Sequence, residues 1–349
     1  MPEAPDADET PPAAPPSRRR GDAARRAPAT GETVTAIESQ LRSMRTDAEQ
    51  HIAHARAEFD QANERIKQRT GRDLIVASLI GVAIGVVVVA SLIFVKWLFA
   101  FFALGAMVLA VFEFSRALQV SGRRVDVVPQ LAAGTLLLAS GFLAGLWLHW
   151  VATLVAVAIV IVWRLTAQMV AADGRSHTAV LADVLVGAFV QLYVPFLTSM
   201  ALILLAEDGG EWWVLAFLVL AVVADTGAYV SGLTFGRGGR HPMAPRISPK
   251  KTWEGFAGAC VAALAAGVLL AVFMLGVPWW TGLIFGAVIL ATATVGDLGE
   301  SMVKRDLGIK DMSSWLPGHG GVLDRLDSIL PSATAALALY YLLSPLGVS

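Results

Sequence analysis

This 349-residue chain has one cysteine, four tyrosines and few charges. Cys260 has no second cysteine to bridge, which excludes a disulfide scaffold. Charged residues make up 16% of the chain, against about 25% in ordinary soluble domains. Hydrophobic residues make up 56%. Together these values exclude a soluble globular protein. A formal net charge of −1 provides no bulk positive field, so no nucleic-acid partner is expected. The sequence has no Gly-x-x-x-x-Gly-Lys-Ser/Thr run and hence no P-loop. Its six histidines form no Cys/His ligand set, so zinc is not expected. The acidic, proline-rich stretch after Met1 does not read as a signal peptide.

Three regions differ in composition. Residues 1–34 are rich in Pro, Ala, Arg and Asp, with almost no large apolar side chains, and read as a disordered tail. Residues 35–73 place Ile37, Leu41, Met44, Ile52, Phe59 and Ile66 on one thin stripe at helical spacing. A weak coiled coil or a surface-lying amphipathic helix in the cytoplasm fits that pattern. From Leu74 to about residue 345 the chain is a series of long apolar runs. A spanning helix needs about 20 mostly apolar residues. Nine candidates fall near 74–95, 97–114, 130–147, 148–163, 180–204, 213–232, 256–275, 279–295 and 329–343. The expected fold is all-α, a polytopic membrane helical bundle of about nine transmembrane helices.

With nine spans, only Lys96 of the 27 Lys and Arg residues falls on one side; the tail and loops 115–129, 164–179, 233–255 and 296–328 carry the rest. Such an asymmetry predicts a cytoplasmic N-terminus and cytoplasmic basic loops in a multi-pass protein of the cell (inner) membrane.

The chemistry concentrates between residues 225 and 327. Asp225, in the run Asp-Thr-Gly-Ala-Tyr-Val-Ser-Gly, is costly inside an apolar helix and should face a cavity or a partner. The segment Ser248-Pro-Lys-Lys-Thr-Trp-Glu-Gly offers Lys250, Lys251 and Glu254. Ser248 could cap a helix starting near Pro249–Lys250, where two lysines would favour phosphate; a topology-setting basic loop is the alternative. Asp297, Glu300, Ser301 and Lys304 recur at i, i+3, i+4 and i+7, forming one polar stripe. Arg305, Lys310 and Asp311 follow, then the turn Pro317-Gly-His-Gly-Gly containing His319, then Asp324, Arg325 and Asp327. Helix capping and surface ion pairs account for any one of these residues. Carboxylates among so many bases also suit a polyphosphate with Mg²⁺, a hard cation that takes a few carboxylates plus phosphate oxygens.

Residues 301–327, with Ser301, Lys304-Arg305, Lys310-Asp311, His319-Gly-Gly and Asp324-Arg-x-Asp327, resemble the pattern of the phosphatidate cytidylyltransferase (CDP-diglyceride synthase) family. Asp225-Thr-Gly-Ala-Tyr and Ser248-Pro-Lys-Lys-Thr-Trp-Glu-Gly resemble further segments of it. The resemblance covers roughly residues 72–345. It implies transfer of CMP from CTP to phosphatidate, yielding CDP-diacylglycerol and pyrophosphate. It also implies a polytopic helical fold, a homodimer, and Asp297 and Asp324 as the metal-binding carboxylates.

On that basis Asp297 and Asp324 are expected to hold the catalytic Mg²⁺, with Asp327 as a further ligand. Lys304, Arg305 and Lys310 are expected on the triphosphate or leaving pyrophosphate, and Lys250 and Lys251 on one of the two phosphate-bearing substrates. His319 is expected to donate to a phosphate or to steady its turn. Asp225 and Glu254 would form a second cation site or partner the bases, and Ser301 and Arg325 complete the substrate-binding set. Two rivals remain: a CTP-dependent polyprenol- or phytol-type lipid kinase, and a transporter using Asp225 and Glu113 as coupling residues. The enzyme reading requires Asp297 and Asp324 to meet at one end of the bundle.

Overall fold

The computed structural model describes residues 74–171, 174–236, 241–313 and 320–347. The expected disordered tail, the 35–73 helix, Arg237, Arg240 and His319 lie outside the described residues. The chain forms the helices α1 Leu74–Phe94, α2 Lys96–Val120, α3 Val127–Leu143, α4 Leu146–Ala171, α5 His177–Ala206 and α6 Gly210–Phe235. A two-stranded ribbon follows, β1 Pro242–Ala244 and β2 Ser248–Thr252. Then come α7 Trp253–Leu275, α8 Trp279–Asp306, the one-turn helix α9 Leu323–Leu326 and α10 Ile329–Leu343. Seven segments are long and apolar enough to cross a membrane, α9 and α10 counting as one, and Gly81–Phe94 and Val127–Leu143 are shorter apolar helices. All nine expected runs are therefore helical.

Large apolar side chains cover the outside, as lipid contact requires: Phe101, Val120, Trp147, Leu154 and Phe273 are all exposed. Between helices the packing relies on small residues, because lipid tails give helices no hydrophobic reason to associate. A Cβ on Gly282 in α8 would lie 2.4 Å from the carbonyl oxygen of Gly267 in α7. Short hydroxyls add polar contacts: Thr292 of α8 and Ser332 of α10 meet at 3.1 Å. Buried His149 lies 2.9 Å from the Ser140 hydroxyl and 3.2 Å from that of Ser199.

Two local departures position the site. In α5, Pro195 lacks an N–H and its ring crowds the preceding turn, and residues Leu192–Phe196 widen into a π-turn. That turn carries Tyr193, stacked on Phe189 at 5.4 Å. The expected helix start near Pro249–Lys250, with Ser248 as its cap, is corrected. Residues 248–252 are a strand paired with 242–244, in register Pro242↔Thr252 and Ala244↔Ser248. Pro249 is tolerated because a two-stranded ribbon has only edges. Helix α7 begins at Trp253 instead, where the Thr252 hydroxyl accepts from the Gly255 amide at 3.1 Å.

Candidate active site

The polar stripe of α8 is the spine of the site. Asp297, Glu300, Ser301 and Lys304 share one face near the end of a long apolar helix. Opposite them lies the junction of α9 and α10. Helix α8 comes so close there that a Cβ on Gly296 would sit 2.2 Å from the carbonyl oxygen of Asp327 and 2.6 Å from the Pro331 ring. Glycine at 296 therefore lets α8, one residue before Asp297, pack directly against the Asp327 backbone.

Two ion pairs join three chain segments at this point. The Lys251 ammonium contacts the Asp297 carboxylate, linking the ribbon to α8, and the Ser301 hydroxyl lies 3.4 Å from the other Asp297 oxygen. One helical turn further along, the Lys304 ammonium contacts Glu300 and reaches Asp324 at 2.9 Å. Asp324 also accepts from the Gly321 amide at 2.7 Å and the Met312 amide at 3.0 Å. Asp327 accepts from the Ser328 amide at 2.6 Å. The charge of Asp297 acts on both Asp225 and Asp327, and Lys251 and Arg325 act on Asp225. Asp297 and Asp324 thus stand at the same end of the bundle, Asp297 on α8 and Asp324 tied to α8 through Lys304.

Strand geometry separates the two lysines. Side chains alternate along β2, so Lys250 is exposed while Lys251 turns inward onto Asp297. Arg305 is exposed and donates from Nε to the Ile247 carbonyl at 3.1 Å, tying the end of α8 to the ribbon turn. Lys310 and Arg325 are exposed at the same end. Glu254 stands apart from the carboxylate group and contacts His241.

Three contributors were not among the expected site residues. Glu300 has a fully buried side chain that contacts Lys304; its place on the α8 stripe was the available signal. Glu113 of α2 reaches the turn before α9. The Tyr193 hydroxyl is buried without a hydrogen-bond partner among the described residues and feels the charges of Glu300, Asp327 and Asp297. Glu113 drew notice only as an intramembrane carboxylate for the transporter reading, and nothing local to Tyr193 pointed to this group.

Among the described residues no three His, Cys, Asp or Glu side chains gather closely enough to hold a metal ion by themselves. A Mg²⁺–nucleotide site does not require such a set, since one or two carboxylates suffice when phosphate oxygens complete the shell. Asp297 lies close enough for its charge to act on both Asp225 and Asp327, so one or two of these carboxylates could serve such a site, with phosphate oxygens supplying the rest.

Apolar spans with a charged centre at one helix end define a multi-pass membrane protein with a reactive polar site. A sequence model described as the cytidylyltransferase family matches residues 75–343. A phosphatidate cytidylyltransferase of Mycobacterium bovis is 38% identical over 288 residues, covering 79% of this chain and 90% of the relative. One from Mycobacterium leprae is 37% identical over 291 residues, with the same coverage of both chains. One from Haemophilus influenzae is 42% identical over 136 residues, 38% of this chain and 45% of the relative. The chain belongs to the cytidylyltransferase family.

Proposed function

We propose that this protein is a phosphatidate cytidylyltransferase. It transfers CMP from CTP to phosphatidate, giving CDP-diacylglycerol and pyrophosphate for phospholipid synthesis. The observation that carries the reading is the convergence of Lys251–Asp297 and Lys304–Asp324 at the end of an apolar helix. A soluble triphosphate and a bilayer-held phosphate can meet only at the membrane surface, and a polar group at the end of an apolar helix suits that position. The bias of Lys and Arg to that end makes it the cytoplasmic face of the cell membrane, where CTP is found.

The reaction needs little proton chemistry. A phosphate oxygen of phosphatidate, already an anion, attacks the α-phosphorus of CTP in line. The bond between that phosphorus and the bridging oxygen breaks, and pyrophosphate carries the electron pair away. Catalysis is then positioning and charge neutralisation. Asp297 and Asp324 are the carboxylates assigned to Mg²⁺, with Asp327 and Asp225 beside them. A bound Mg²⁺ would neutralise phosphate charge and orient the phosphate chain. Lys304, held between Glu300 and Asp324, is placed to meet triphosphate oxygens, and exposed Arg305 and Lys310 extend that positive rim. Lys251 stands on the Asp297 side, where it can receive the second phosphate. Ser301 orients Asp297. The family resemblance adds a homodimer, which chemical cross-linking in the membrane would reveal.

The test is incubation of membranes containing the protein with labelled CTP, phosphatidate and Mg²⁺. Labelled CDP-diacylglycerol and pyrophosphate are expected. CDP as the soluble product, with a phosphorylated lipid alcohol, would instead identify a lipid kinase. Flux without CTP consumption would identify a transporter.

A further inference from the structure

Glu113 lies towards the site end of α2, in an otherwise apolar stretch, and is 2% exposed. A buried carboxylate at such a position must be fully engaged to be tolerated. Its partners are distant in sequence and lie in one short stretch of chain. Oε1 accepts from the Val322 amide at 3.0 Å and the Ser313 hydroxyl at 2.5 Å. Oε2 accepts from the Leu323 amide at 3.0 Å. The adjacent Gly321 amide goes to Asp324 instead. Two carboxylates from different helices thus divide three consecutive amides between them, and both crowd Gly321. A Cβ there would lie 2.7 Å from the Glu113 carboxylate and 3.1 Å from that of Asp324.

We propose that Glu113 is a positioning residue for the transfer reaction. It fastens the turn before α9 to α2, and so fixes where Asp324 stands relative to Lys304 and Asp297. The inference rests on the function proposed above but not on its details, since it concerns how the chain holds Asp324. Glutamate is required because both oxygens accept. Glutamine would turn an NH₂ group towards an amide donor, and aspartate is one methylene too short to reach.

The test uses the full-length protein in nanodiscs containing phosphatidate, as wild type, Glu113→Gln and Glu113→Asp. Glu211→Gln, which breaks the Lys96 pair at the far end (2.8 Å), is the control. Supporting partners of ligating carboxylates are worth about 10–100-fold. Glu113→Gln is expected to lower kcat by that factor, with KM for phosphatidate changed less than about twofold. Tryptic cleavage after exposed Lys310 should accelerate in parallel, a readout independent of turnover. If Glu113→Gln does not accumulate, Gly321→Ala presses on the same carboxylate and should reproduce both effects. Wild-type kcat and wild-type cleavage in either folded variant would overturn the proposal, as would a rise in KM for phosphatidate with kcat intact. A wild-type protein inert towards phosphatidate whose Glu113→Gln form still shows faster cleavage would sink the function and leave the tether standing.

Discussion

Two charged clusters occupy the same end of the bundle and are built from similar residues, yet they are suited to opposite tasks. In the first, the buried Asp183 carboxylate of α5 receives the Arg175 guanidinium at 3.0 Å, Arg164 at 3.4 Å and the Arg124 amide at 3.1 Å. Arg164 also donates to Gln168 at 2.6 Å and lies 3.8 Å from Asp126. The cavity beside it holds about 10 Å³, roughly one water. The Arg164 and Arg175 guanidinium groups and the Arg124 amide close on one carboxylate, which joins α3, α4 and α5. In the second cluster acids predominate: Asp225, Asp297, Glu300, Asp324 and Asp327 share few bases, chiefly Lys251 and Lys304. Lysine is a mobile point charge, whereas the arginine fork is a fixed geometry. A clamp completes its own hydrogen bonds and charges. A binding site leaves acidic charge for a cation and mobile ammonium groups for phosphate.

The comparison predicts that neutralising a carboxylate has opposite consequences in the two clusters. Asp324→Asn and Asp297→Asn should each lower cytidylyl transfer by at least about 100–1000-fold, the scale of losing a preorganised electrostatic group. Asp297→Asn removes a like charge beside Asp225 and Asp327 but also the Lys251 pair, so its melting temperature in detergent should change little. Asp324→Asn loses the Lys304 pair and turns an NH₂ towards the Gly321 and Met312 amides, so it should melt lower, with activity still the larger loss. Asp183→Asn should show the reverse, leaving two arginines around a neutral amide. Breaking a buried pair costs about 3 kcal/mol, or roughly 4 °C of melting temperature in a chain this size, with KM values for CTP and phosphatidate retained. A stable but inactive Asp183→Asn would merge the two clusters into one function.

A smaller effect should come from the contact between α8 and the α9–α10 junction. Gly296→Ala forces a methyl against the Asp327 carbonyl, and overpacking of this kind costs about 1–3 kcal/mol. Activity should fall more than stability does, because Asp297 and Asp327 move apart; paired thermal melts and turnover assays would measure both. The smallest difference concerns the ribbon. Lys251→Ala should raise KM for a phosphate-bearing substrate about tenfold or more, whereas Lys250→Ala, at an outward position, should change it less than about threefold. Equal effects would mean that the alternation of β2 does not govern which lysine reaches substrate.

Much of this could be read in advance because apolar runs and the i, i+3, i+4, i+7 stripe of α8 are local periodic signals. The stripe already contained Glu300, though only its neighbours were assigned roles. The ribbon was misread because Ser-Pro-Lys-Lys carries a good helix-start pattern, and only the pairing of 248–252 with 242–244 overrides it. The polar residues most distant in sequence were the least legible. Glu113 acts on amides about 210 residues away, and the Tyr193 hydroxyl is placed by a π-turn at Pro195 in another helix.

The sequence alone determined that this chain lives in a membrane, where its apolar helices fall and which connecting loops carry the charge. Those properties follow from solvation, which each segment experiences independently of the others. Only the tertiary structure decided which charges pair, that Lys251 rather than Lys250 meets Asp297, and that α2 supplies an anchor for Asp324. Hydrogen bonds and ion pairs act over a few ångströms, so they depend on which helices the fold brings into contact.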